Sequence, residues 1–232
     1  MAGVLLDFFG TLVDYSPSRI EQAFDRSFEL LEHRGLEGDY GSFVESFDRT
    51  FRAMEAEAEA TGVEFSMADA LDRYTRAQRL PIDTSFAERF IDTYLDEWSV
   101  GVTLIDGVPS LLTGLVERGH QLVLVSNTHH GPMVHRFLRA MRIDEPFAAV
   151  ITSDQLGLRK PRREIYEAAL RTIGCSASDA VFVGDSEVPD YRGPRRVGID
   201  GYLIAEQGSA PDDLPDHHRF DSVHDIVNVL VD

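Results

Sequence analysis

Short apolar runs rich in β-branched residues recur at Val4 to Phe8, Leu122 to Val125, Ala148 to Ile151, Val181 to Val183 and Tyr202 to Ile204, each bounded by turn-forming residues. Runs this short and this apolar predict strands buried on both faces. Alternating with the last four are stretches of helical spacing: Val108 to Glu117, His135 to Met141, Arg163 to Ile173 and Tyr191 to Val197. That alternation predicts a doubly wound α/β core, a parallel sheet joined by right-handed crossovers.

The rhythm breaks between the first strand and the second. Residues 16–99 carry no convincing strand pattern and instead show helical periodicity, with Ile20, Phe24, Phe28 and Leu31 on one face, Phe43, Phe47, Phe51 and Met54 on another, and Phe86, Phe90, Tyr94 and Trp98 on a third. Pro17, Ser18 and Glu21 supply a start signal for the first of these helices. An all-helical insertion over 16–99 is therefore expected, within a core made of 1–15 and 100–232. Eight of the 14 phenylalanines fall in the insertion. Packing of a small helical bundle accounts for them, with an aromatic substrate pocket as the alternative. Glu55 to Ala60 alternates Glu with Ala and reads as a solvated helix surface.

Composition narrows the class of protein. Of the 232 residues, 43% are hydrophobic and 27% charged, which fits a globular chain. Forty acidic residues against 22 basic ones leave a formal charge of −18, so a nucleic acid or an anionic membrane surface would meet net repulsion. A single cysteine, Cys175, can form no internal disulfide, and no Cys/His ladder offers a zinc site. The start MAGVLLDFFGTLV lacks a basic region and is interrupted by Asp7, which makes a poor signal peptide. No window approaches the roughly 18 apolar residues of a membrane span, so a cytoplasmic location is expected. Of the 22 basic residues, 21 are arginine and one, Lys160, is lysine. Codon bias explains the arginines but not where the exception falls.

In a parallel α/β sheet, ligands gather beyond the carboxyl ends of the strands. Four polar clusters stand at such ends or before the following helix: Asp7-Phe8-Phe9-Gly10-Thr11-Leu12, Ser126-Asn127-Thr128, Lys160-Pro161, and Gly184-Asp185-Ser186 with Asp190 shortly after. Each alone is an ordinary turn or helix cap. In this order and at these places they bring a carboxylate nucleophile, hydroxyls, a cation and two further carboxylates to one crevice.

Over nearly its whole length the chain resembles the haloacid dehalogenase superfamily. The family's D-x-D-G-T-[LV] motif is similar to Asp7 to Leu12, its strand-end Ser or Thr matches Ser126, its Lys-Pro matches Lys160-Pro161, and its G-D-S-x-x-x-D matches Gly184, Asp185, Ser186 and Asp190. An α-helical cap inserted after the first motif is also the family's pattern. The resemblance implies a Mg²⁺-dependent phosphatase acting on a small phosphorylated metabolite. Asp7 would attack phosphorus to form an aspartyl-phosphate. Mg²⁺ would be held by Asp7, the Phe9 carbonyl and Asp185, with Asp190 reaching the metal or orienting Lys160. Thr11, Ser126 and Asn127 would donate to phosphoryl oxygens, and Lys160 would neutralise developing charge.

One position departs from the pattern. Where the family's phosphatases carry a second Asp that protonates the leaving oxygen, this chain has Phe9, and loss of such a group costs typically 10² to 10⁴ in rate. Three readings follow. The first is a phosphatase acting on an activated leaving group or recruiting a substitute acid, with His129, His130 or Glu187 the nearest candidates. The second is a 2-haloacid dehalogenase, whose relatives carry an aromatic residue at the same place, form an aspartyl ester without metal, and bind the substrate carboxylate through an arginine such as Arg19, Arg49 or Arg52. The third is a weakly catalytic relative that binds a phosphorylated ligand or a partner. A lysine Schiff base of the phosphonoacetaldehyde hydrolase kind has no amine in 16–99.

Overall fold

The chain runs from β1 (Gly3–Leu6) and a short β2 (Val13–Asp14) into four helices, α1 (Asp25–Glu32), α2 (Tyr40–Thr61), α3 (Met67–Ala77) and α4 (Thr84–Trp98). It returns through β3 (Thr103–Leu104) to α5 (Val108–Glu117), β4 (Gln121–Ser126), α6 (Gly131–Ala140), β5 (Phe147–Thr152) and the short α7 (Ser153–Leu156). Then follow α8 (Arg163–Ile173), β6 (Ala180–Gly184), α9 (Gly193–Arg196), β7 (Asp200–Ile204) and β8 (Arg219–Phe220). A π-helical turn, Glu187–Arg192, sits between β6 and α9. This computed structural model describes residues 2–15, 22–205 and 210–230. The start signal at Pro17, Ser18 and Glu21, together with Arg19 and Ile20, lies outside them.

Contacts divide the chain into two compact units, Met1–Asp14 with Thr103–Asp232, and Tyr15–Val102. The first unit is built on a six-stranded sheet of order β5-β4-β1-β6-β7-β8, every pairing of which is parallel. This is the expected doubly wound α/β fold. The apolar runs are central strands: Leu5 pairs with Val123 on one side and Phe182 on the other, and all three are fully buried. The α8 helix lays Ile165, Tyr166, Ala169 and Leu170 into the same core as Leu5, Val125 and Phe182. Full burial of such side chains contributes about 1.5–3 kcal/mol each. From β1 the chain crosses to β4 on one side, whereas from β6 it moves to β7 on the other. The connections thus leave in opposite directions between β1 and β6, which opens a crevice at their carboxyl ends.

The second unit is helical and its interior is aromatic. Phe47 lies 5.1 Å from Tyr74 and 5.2 Å from Tyr94 between ring centroids, and Tyr94 stacks on Phe24 at 4.5 Å. The phenylalanines thus pack the bundle's own core, as their spacing suggests. A small, partly open cleft of about 10 Å³ lies beside Phe24, Phe43, Val44, Phe47, Asp48 and Tyr94. Three helices are capped locally: Asp39 accepts from Ser42 N, Ser66 and Asp69 form a reciprocal capping box, and Asp83 accepts from Phe86 N. The α1 helix has no side-chain cap of its own. Its first turn is capped from α4, where the buried Glu97 carboxylate accepts Arg26 N at 2.8 Å, Ser27 N at 3.1 Å and Ser27 Oγ at 2.6 Å.

Four details differ from the pattern-based expectation. The α3 helix fills a stretch for which no helix was read. The α6 helix begins at Gly131, ahead of His135, because Pro132 suits the first turn and Asp154 Oδ2 caps Gly131 N at 2.9 Å. Instead of one helix over Tyr191 to Val197, the chain makes the π turn and then α9. Short strands β2, β3 and β8 carry too few residues to show a period.

Candidate active site

Asp7 is the first residue beyond β1, and its backbone N donates to Val183 O of β6 at 3.0 Å. Gly10 takes the left-handed φ of +77°, and a Cβ there would collide with the Asp185 carboxylate beyond β6. Glycine at position 10 thus lets the two loops close on each other. Gly184 serves the same purpose: a Cβ would overlap the Asp190 carboxyl group.

Lys160 is the hub. Its Nζ donates to Asp7 Oδ1 and to Asp190 Oδ1, each at 2.7 Å, and lies 5.1 Å from the centroid of the Phe182 ring. Only 4% of Lys160, 7% of Asp7 and 1% of Asp190 is exposed. The backbone of Lys160 is fixed as well, because Asn127 Oδ1 accepts its N–H at 2.8 Å and Asn127 Nδ2 donates to its carbonyl at 3.1 Å. The Asn127 amide thus clamps the lysine, and one of its N–H groups is left over for the expected contact with a phosphoryl oxygen. Asp190 Oδ1 accepts from Lys160 Nζ, and its Oδ2 accepts Ser186 N at 3.0 Å.

Oxygens of Asp7, Asp185 and Asp190 all lie within 4.8 Å of one another. Burial lifts Asp7 to about 7; Lys160 opposes this, and Asp190 and Asp185 add to it. Burial, with Asp190 adding to it, also lifts Asp185 to about 6, against Lys160. The Lys160 ammonium loses hydration on burial, yet Asp190 and Asp7 outweigh that loss and hold its pKa above the ordinary lysine value. Three crowded carboxylates against one cation leave unneutralised negative charge among hard oxygen donors. This donor set fits Mg²⁺.

Thr11 is fully buried, and its Oγ1 finds no hydrogen-bond partner among the described residues. Ser126 is also buried, with only a long 3.5 Å contact from Oγ to Asn127 O. Two hydroxyls held out of water with donor capacity to spare suit an incoming acceptor. The Phe9 ring packs edge-on against Phe8 at 4.9 Å and Phe137 at 6.4 Å, so this position is committed to apolar packing. His129 and His130 lie half-buried in the loop between β4 and α6. Arg192 Nε binds the Glu187 carboxylate at 2.5 Å, which ties that candidate acid to a salt bridge. On the helical unit Arg49 is exposed and Arg52 pairs with Asp48 at 2.6 Å.

Comparison with known proteins places this arrangement. A family model described as "Hydrolase: haloacid dehalogenase-like hydrolase" matches residues 1–198. The chain belongs to the haloacid dehalogenase-like hydrolase family. Among curated members it is 31% identical over 133 residues to haloacid dehalogenase-like hydrolase domain-containing protein 3 of Mus musculus, covering 55% of this chain and 51% of that protein. The chain thus spans about half the length of the first curated relatives it matches. It is 24% identical over 205 residues to ribulose-1,5-bisphosphate 5-phosphatase of Halopiger xanaduensis, covering 87% of this chain and 83% of that one. Among solved structures, a 2-haloacid dehalogenase from Pseudomonas syringae pv. Tomato DC3000 superposes with a TM-score of 0.76 at 22% identity, over 99% of this chain and 98% of that one. A HAD phosphatase from Thermococcus onnurineus gives 0.69 at 19% identity, with the same 99% and 98% coverage. Such identities speak for the family's fold, which hosts several chemistries. Among the described residues, no helix is long and apolar enough to cross a membrane.

Asn127 shows what residue spacing conceals. Its partner, Lys160, is 33 positions away, and only the β4–β5–α8 path brings the two together.

Proposed function

We propose that this member of the family is a Mg²⁺-dependent phosphatase acting on a small phosphorylated metabolite whose leaving group is stable as an anion. The observation that carries the reading is the cluster of buried Asp7 and Asp190, both on Lys160, with the half-buried Asp185 beside them. Mg²⁺, held by Asp7, Asp185, the Phe9 carbonyl and, where it reaches, Asp190, would supply charge neutralisation between an anionic nucleophile and an anionic substrate. Curated relatives named as phosphatases for ribulose-1,5-bisphosphate, phosphoglycolate and glyceraldehyde 3-phosphate support the substrate class. The helical unit acts as the cap that selects among such substrates.

An Asp7 carboxylate oxygen attacks phosphorus, the bond to the leaving oxygen breaks, and its electron pair departs with that oxygen. Lys160 balances the growing charge; Thr11, Ser126 and the spare N–H of Asn127 donate to the phosphoryl oxygens. Water then attacks the phosphorus of the aspartyl-phosphate, releasing phosphate and restoring Asp7. Phe9 can neither protonate the leaving group nor activate that water, which points to a carboxylate or phosphate leaving group such as that of an acyl phosphate or a phosphoanhydride.

Phosphate release from acetyl phosphate tests the reading. Turnover should rise with Mg²⁺, fall with EDTA and vanish in Asp7→Asn; turnover indifferent to both treatments overturns it. The aromatic Phe9 favours a second reading, metal-independent dehalogenation, which predicts halide release from chloro- or bromo-acids in EDTA. Absence of halide release retires that reading.

A further inference from the structure

We propose that the Tyr166 hydroxyl is a positioning group for the site, bracing the π-helical turn that carries Asp190 and through it Lys160. The inference rests on the phosphatase reading for its kinetic consequence and on geometry for the brace itself.

The turn Glu187–Arg192 follows the wider i→i+5 pattern, and Gly193 N donates to Val188 O. The next bond in that series would run from residue 194 to Pro189 O. Residue 194 is proline and has no N–H to give. Pro189 O is thereby left without its helical donor, immediately before Asp190. Tyr166 OH, reaching from α8, donates to that carbonyl.

An unpaired carbonyl in such a place carries a desolvation penalty, which the turn would relieve by moving. Tyr166 is fully buried. Its ring meets Phe182 edge-on at 5.7 Å, on the same ring that faces Lys160 Nζ. Burial and the charges of Asp190 and Asp7 hold the phenol pKa well above its ordinary value, so the hydroxyl keeps its proton. A helix of the core thus fixes the turn, the turn fixes Asp190, and Asp190 Oδ1 with Asp7 Oδ1 fixes the ammonium.

The experiment compares wild type, Tyr166→Phe, and Tyr166→Phe with Pro194→Ala, which returns a backbone N–H to the Pro189 carbonyl. Amide hydrogen exchange is followed at Ser186, Asp190 and Gly193, and steady-state kinetics with acetyl phosphate and Mg²⁺. Tyr166→Phe should lose about tenfold protection at these amides relative to β6 and about tenfold in kcat, with KM within twofold. Adding Pro194→Ala should recover most of both. Unchanged exchange in Tyr166→Phe overturns the brace, and lost protection with unchanged kcat reduces Tyr166 to a structural tyrosine and overturns the positioning role. If the wild-type protein shows no phosphatase turnover, the functional reading fails, while exchange and its recovery still decide the brace.

Discussion

Two of the buried carboxylates, Glu97 in the helical unit and Asp7 in the α/β unit, have opposite uses. Glu97 of the helical unit meets donors, namely two backbone N–H groups, the Ser27 hydroxyl and the Arg26 guanidinium at 3.4 Å, and its charge ends as a helix cap. Asp7 of the α/β unit meets one ammonium and two further carboxylates, and burial pushes it up to about 7. A buried acid matched by backbone donors becomes architecture. One crowded by its own kind becomes a demand for a cation.

That contrast can be broken by exchanging what each acid has. The largest effect is expected for Asp7→Asn, which should reduce phosphatase turnover by at least about 10³-fold while thermal stability holds or rises, because a crowded charge is removed. A stability loss matching the activity loss would make Asp7 structural like Glu97. Lys160→Arg comes next. The planar guanidinium cannot occupy the place of a compact ammonium between two carboxylate oxygens at 2.7 Å. A loss of about 10²-fold in kcat is expected with native circular dichroism, and near-normal kinetics would remove Lys160 from the reaction.

Glu97→Ala should act the other way. Loss of the α1 cap and exposure of a buried, unpaired Ser27 hydroxyl should cost about 2–3 kcal/mol in denaturant unfolding, with no change in Mg²⁺ affinity. Unaltered stability would show that the capping bonds contribute nothing net.

The smallest effect concerns pH. Asp7 near 7 and Asp185 near 6 both lie above the 3.8 of a free Asp side chain, so the folded, metal-free chain binds more protons than the unfolded chain between those values. Stability in EDTA should therefore rise as pH falls from 8 toward 5, and Asp7→Asn should remove much of that rise. A melting temperature that falls over this range in wild type would contradict the crowding argument.

Much of the fold is legible in the sequence. The central strands announced themselves because strands buried on both faces must be apolar throughout, and α5 and α8 carry their periodicity between clear stops. Asp7, Ser126, Lys160 and Asp185 were legible because the ends of parallel strands are where such groups collect. The α3 helix was also present as a pattern, in the Ser66 and Asp69 capping box with apolar residues at 67, 70, 71 and 74. It went unread because it follows the Gly62 stop so closely. Other features had no local signal. The Asn127 clamp, the capping of α1 by Glu97 and the Tyr166 bond to Pro189 each join residues far apart in the chain. A π turn looks like an ordinary helix until its hydrogen bonds are drawn.

One modest feature, the antiparallel pair β2 and β3, reaches further than its size suggests. Val13 faces Leu104 and Asp14 faces Thr103, so the chain leaves the α/β unit and re-enters it one strand spacing apart. Whatever stands between those two points is joined to the core as a hairpin is joined to its turn, at a closure cost that grows only slowly with length. The helical unit can therefore be shortened or enlarged without disturbing the register of β1 that leads into Asp7.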